Sequence, residues 1–150
     1  MKHLFFLAAL LTPNTVLADG DPARGKRAFL QCVMCHSAVP GGHKSGPSLA
    51  RIWGRKAATV EGFWKYSEAL KQADIVWNAE TLNEWLTSPK AMVPGTSMRV
   101  PGVKDARDRR DIIAYLKQLA ESASARPKNT AQPMTLKQHA TKQRLGVTSQ

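Results

Sequence analysis

The chain has only two cysteines, three positions apart and followed at once by a histidine: Cys32-Val33-Met34-Cys35-His36. No other feature limits the fold as much. A disulfide between residues so close would close too small a loop to stabilise a domain, and a disulfide framework usually uses four or more cysteines. A structural zinc site needs four ligands. Beyond the first residues, the chain offers only His36, His43 and His139 beside the two thiols. A thioredoxin-type dithiol expects a βαβ setting, and no convincing apolar alternation marks strands here. The order of this domain must come from elsewhere.

The N-terminus reads as an export signal. Lys2 and His3 precede an unbroken apolar run from Leu4 to Leu11, and Val16-Leu17-Ala18 gives small or apolar residues before Asp19. The run is too short for a bilayer, which needs roughly 20 residues, so cleavage after Ala18 is expected. This divides the chain into a signal (1–18), one folded domain (19–123) and a tail (124–150). It also predicts a periplasmic location. The formal charge is +11, and all eleven acidic residues lie at or before Glu121. The tail has Arg126, Lys128, Lys137, Lys142 and Arg144 with no acid among them. It reads as basic and disordered, with a short amphipathic segment over 136–145 as the alternative. A positive chain favours acidic partners. Export sets nucleic acid aside and leaves acidic protein surfaces, with weak contact of the tail to an anionic membrane surface. The domain is expected to be a monomer.

The domain reads as all-α. Asp21-Pro22 supplies a cap and a proline at the first helical position, predicting a helix to about Val33. A second helix should start after Asn78, with Leu82, Trp85 and Leu86 on one face, and stop before Pro89. A third should run from Asp105 to about Ser122 with Ile112, Tyr115, Leu116 and Leu119 as its apolar stripe. A short helix near Ser67–Lys71 is also expected. Between these lie Pro40-Gly41-Gly42, Gly46-Pro47, Gly54, Pro94-Gly95 and Pro101-Gly102, all breaker signals. Three main helices joined by such long loops are awkward in a small domain unless the loops wrap something.

The five-residue string says what they wrap. Cys-x-x-Cys-His is the attachment motif of c-type haem. Residues three apart near a helical end lie on one side, so Cys32 and Cys35 can form thioethers with two vinyl groups on one porphyrin edge. His36 can then offer a nitrogen to the iron. The sixth-ligand candidates are Met34, Met92, Met98, Met134, His43 and His139. Met34 lies between the anchoring cysteines and cannot reach the far face. Met134 and His139 fall in the tail. Met98 follows the Pro94-Gly95-Thr96 turn in a loop that can fold over the ring, and Met92 is its close competitor.

At these residues the chain resembles the class I cytochromes c, the small soluble mitochondrial and bacterial type, over about residues 20–121. Gly25 and Phe29 match the family's N-terminal helix, and Gly46-Pro47-Ser48-Leu49 resembles its Gly-Pro-Asn-Leu segment. Gly54-Arg55-Lys56 resembles its Gly-Arg-Lys, and Thr81–Leu86 its third-helix segment. Pro94-Gly95-Thr96-Ser97-Met98 resembles its Pro-Gly-Thr-Lys-Met, and Asp111–Lys117 its C-terminal helix. The resemblance implies the cytochrome c fold around one covalent haem. It makes His36 the proximal ligand and Met98, rather than Met92, the distal one. It has the Pro47 carbonyl accept the other ring N–H of His36 and puts Arg55, Tyr66 and Trp77 around the haem propionates. Gly25 and Phe29 would pack on Tyr115 and Leu116. Two departures stand out: Trp85 where the family often has Tyr, and Leu70 where mitochondrial types often have Asn. Both make the distal side more apolar.

The function that follows is one-electron transfer without catalysis, between periplasmic or membrane redox partners with acidic docking surfaces. Lys44, Lys90, Arg99 and Lys104 flank the attachment and Met98 loops and could steer such partners. The alternative is a haem enzyme or gas-binding sensor with an open or displaceable sixth site.

Overall fold

The computed structural model describes residues 20–125. The expected signal, most of the expected tail, Met134, His139 and the 136–145 segment lie outside the described residues. Among the described residues five α-helices follow one another: α1 (Pro22–Ala28), α2 (Glu68–Gln72), α3 (Ala79–Thr87), α4 (Pro89–Met92) and α5 (Ala106–Ala125). Among the described residues there is no β-strand, only an isolated antiparallel bridge between Lys56 and Val76. No helix among them is long and apolar enough to cross a membrane.

Local chemistry explains the helix ends. Asp21 caps α1 by accepting the N–H groups of Ala23 (2.7 Å) and Arg24 (3.1 Å), with Pro22 in the first turn. Asn78 and Thr81 form a reciprocal capping box on α3, each side chain accepting the other's backbone N–H at 2.9 Å.

Three boundaries differ from the sequence-based expectation. The first helix does not run to Val33. It tightens at Phe29–Gln31 into a 3₁₀ turn, and the amides of Cys35 and His36 then turn back onto the Cys32 carbonyl at 3.1 and 2.9 Å. Pro89 ends α3, as expected, but also starts α4, because Ser88 caps the next turn through the Ala91 amide. Finally, α5 continues to Ala125, past the expected domain end at 123. The serines there do not break it, since the Ser124 hydroxyl donates to the Ala120 carbonyl within the helix.

The terminal helices α1 and α5 cross with their backbones nearly touching. A Cβ on Gly25 would lie 1.9 Å from the Asp111 carbonyl oxygen, so only glycine fits. Phe29 meets Tyr115 edge to face with ring centroids 5.3 Å apart, in line with the expected joining of these helices. The buried Asp111 carboxylate fastens the crossing. It accepts from the Asp21 amide (2.7 Å) and from Arg24 Nε and Nη2 (2.7 and 3.0 Å). These bonds hold its pKa below the ordinary carboxylate value against the opposing effect of burial. Leu82, Trp85 and Leu86 of α3 join Ile112 and Leu116, with Phe29 and Tyr115, in one buried core. The helices thus form a frame, and the loops 32–66 and 93–105 close around the space it leaves.

Candidate functional site

The two loops and the inner faces of α3 and α5 enclose a cavity of about 550 Å³ with a mainly apolar lining. That size lies within the range of small-molecule and cofactor sites, roughly 300–1,000 Å³. Cys32, Cys35, His36 and Pro47 line it from the first loop, and Met98 and Arg99 from the second.

The string Cys32–His36 sits where the chain leaves its 3₁₀ turn. Cys32 is half-buried and Cys35 exposed, and no disulfide joins them. Burial, and next the neighbouring Cys35, pushes the Cys32 thiol up to about 11. A catalytic dithiol needs the opposite shift, and no βαβ unit exists among the described residues, so the thiol–disulfide reading loses its support.

His36 is oriented from two sides. Its Nδ1 lies 2.8 Å from the Pro47 carbonyl oxygen. A carbonyl can only accept, so Nδ1 carries the hydrogen and the lone pair falls on Nε2. Burial lowers the His36 pKa, opposed by the Pro47 bond, which keeps the ring neutral and able to bind a metal at neutral pH. The ring also lies against Gly46, where a Cβ would come within 2.5 Å of His36 Cε1. Gly46 belongs to a matched motif, but no spacing rule in the sequence tells that its missing side chain makes room for the imidazole.

Arg55, Tyr66, Trp77 and Trp85 also line the cavity. Trp77 and Trp85 are buried and meet edge to face at 5.4 Å. Burial raises the Tyr66 pKa and lowers that of Arg55. No carboxylate among the described residues pairs with Arg55. A desolvated guanidinium without an anion, beside an apolar cavity, suits an acidic group carried by a bound molecule. Leu70, one of the two departures, is buried in the cavity wall.

The methionines separate cleanly. Met98 lines the cavity, whereas half-buried Met92 packs on the core and does not line it. Met34 is 81% exposed. His43 is engaged elsewhere: it accepts the Ser48 amide at Nδ1 (3.1 Å) and its Nε2 lies 2.9 Å from the Glu61 carbonyl oxygen. Of the four basic residues expected at a docking face, all are exposed, but only Arg99 lines the cavity. The Lys44 ammonium donates to the Val33 carbonyl. Sequence reasoning missed Phe63 and Lys65 in the cavity wall, since loop residues without a motif carry no signal of where they fold.

The profile of the family described as Cytochrome c matches residues 22–120. The chain belongs to the cytochrome c family. It is 44% identical to cytochrome c2 of Blastochloris viridis over 81% of this chain and 93% of that one. It is 48% identical to cytochrome c of Gibberella zeae over 67% and 96%. Among solved structures, cytochrome cH from Methylobacterium extorquens superposes with a TM-score of 0.62 at 41% identity, covering 66% of this chain and 99% of that one. As a cytochrome c, the protein has the all-α cytochrome c fold, carries one covalently bound haem c and transfers electrons to and from redox partners rather than catalysing a reaction. These relatives lend no support to the haem-enzyme or gas-sensor alternative.

Proposed function

We propose that the haem is held by thioethers from Cys32 and Cys35, with His36 as proximal and Met98 as distal iron ligand, and that the chain shuttles single electrons in the periplasm. The observation that carries this reading is the cavity that Cys32, Cys35, His36 and Met98 line together while Met92 does not.

When bound, the haem supplies a one-electron Fe(III)/Fe(II) couple. The chain's residues do the rest. Pro47 fixes the tautomer and tilt of His36, leaving its Nε2 lone pair free. The Met98 thioether is a soft ligand that favours the ferrous state. Trp77, Trp85 and Leu70 keep the pocket dry, which disfavours the extra charge of the ferric state. Arg55 and Tyr66, helped by Trp77, offer cationic and hydrogen-bonding partners to the propionates.

Arg99 stands at the cavity wall, and exposed Lys44, Lys90 and Lys104 lie on the loops and short helix around it. In this reading they steer partners with acidic surfaces in weak, fast, salt-sensitive encounters. The leader (1–18) directs export, the folded domain acts as a monomer, and the basic tail adds weak contact with an anionic membrane surface.

Visible spectra of protein matured with haem test the ligand set. Met98→Ala should abolish the weak far-red sulfur-to-iron band of the oxidised protein and Met92→Ala should keep it. Loss of the band in Met92→Ala alone would reassign the distal ligand.

A further inference from the structure

The loop between α4 and α5 is held mainly at its exit. At Met98 itself the local bond is one 3.3 Å contact from its amide to the Thr96 hydroxyl. At the exit the Val103 amide donates to the Leu86 carbonyl at 2.7 Å. Arg109, one turn into α5, closes the joint. Its Nη1 donates to the Val103 and Lys104 carbonyls at 2.8 and 2.9 Å, and its Nε to Asn83 Oδ1 on α3 at 2.9 Å. One guanidinium thus ties three pieces of chain: α3, the exit of the Met98 loop and the start of α5. No carboxylate among the described residues pairs with Arg109, so its charge is spent on these neutral acceptors.

We propose that Arg109 is a positioning residue for the distal ligand, holding the loop in the form that presents Met98 to the cavity. The inference rests on the reading of Met98 as distal ligand. The physical ground is differential: Nη1 grips the exit limb while Nε reaches Asn83 on α3, so the full set of bonds exists only while limb and α3 lie together, and it stabilises the closed loop over any form in which the limb swings away. Hydrogen bonds from a charged donor are the stronger kind. A lysine, as a point charge without the fork, can keep only part of the arrangement.

The test is imidazole binding to the oxidised holoprotein, in which imidazole must displace Met98. Arg109→Ala should raise imidazole affinity by roughly tenfold, the factor lost with one charge-assisted hydrogen bond. Arg109→Lys should fall between it and the parent chain. Arg110→Ala, one residue along and equal in charge removed, should match the parent. If Arg109→Ala does not accumulate, Arg109→Lys and Asn83→Ala carry the same measurement. A variant that melts earlier but binds imidazole within about twofold of the parent, with the far-red band intact, overturns the proposal. A Met98→Ala protein that keeps the band overturns the ligand reading beneath it instead.

Discussion

The two loops facing the cavity are held in different ways. On the side of His36, backbone and ring bonds run through the whole segment. The Gly46 amide donates to the Cys35 carbonyl at 2.8 Å and the Leu49 amide to the Ser37 carbonyl at 2.8 Å. His36 bonds Pro47, and His43 bridges Ser48 to Glu61. On the side of Met98, Ser97, Arg99, Val100 and Pro101 are exposed, and the firm bonds gather at the exit on α3. On the proposed ligand set, the first loop would present His36 from a rigid seat and the second would present Met98 at the end of a strap. On that proposal, an electron carrier built this way would keep its haem through one side and set its sixth-ligand lability through the other.

Three substitutions put that contrast to the test. The largest effect should come from the rigid side. Gly46→Ala would drive a Cβ into the His36 ring, and in a seat with so little slack it should cost roughly 3 kcal/mol. The yield of haem-loaded protein and its denaturant midpoint check this; an unchanged midpoint would mean that the seat yields like the strap. On the strap, Gly102 has φ +86°, and a Cβ there would lie 2.2 Å from the Thr87 carbonyl oxygen. Gly102→Ala should cost about 2 kcal/mol and lift the exit limb. The far-red band should weaken while the haem stays attached. Equal loss of haem in both variants would erase the distinction.

The smallest effect concerns the frame that carries both loops. Asp111 has a lowered pKa in the folded state, chiefly through its Arg24 hydrogen bonds. Its contribution is therefore present above the unfolded carboxylate value, about 3.9, and is lost as pH falls through the folded value. Asp111→Asn should flatten the decline of stability in acid, read from melting temperatures between neutral pH and about pH 3. A slope identical to the parent's would show that the carboxylate does not titrate with unfolding.

Much of this was readable in the sequence because the signals were local. The Cys32–His36 string announces its cofactor without any fold. The centres of α3 and α5 carry caps and 3.6-residue periodicity, and their stripes became the buried core. The start of α4 is equally local: Ser88-Pro89 is a cap and a first-turn proline, although a proline at the end of a helical pattern reads first as a stop. The rest needed tertiary contact. The shortening of α1 reflects the turn that presents Cys32 to the cavity, against the helical propensity of the segment. The bonds of His43 and Arg109 join residues 18 and 26 positions away, and no pattern along the chain foretells them. Charge alone pointed to four docking residues, and it could not tell Arg99, in the cavity wall, from Lys44, whose ammonium is bonded to the Val33 carbonyl.

If the proposed attachment is right, both thiols of the Cys32–His36 string are consumed in holding a single haem. Intact mass and peptide mapping of the protein purified after export and haem maturation test it most directly. The chain should be heavier by one haem that survives denaturation, with the added mass on the peptide containing Cys32, Cys35 and His36 and no free thiol. A colourless chain with two titratable thiols, or pigment that washes away on unfolding, would contradict it.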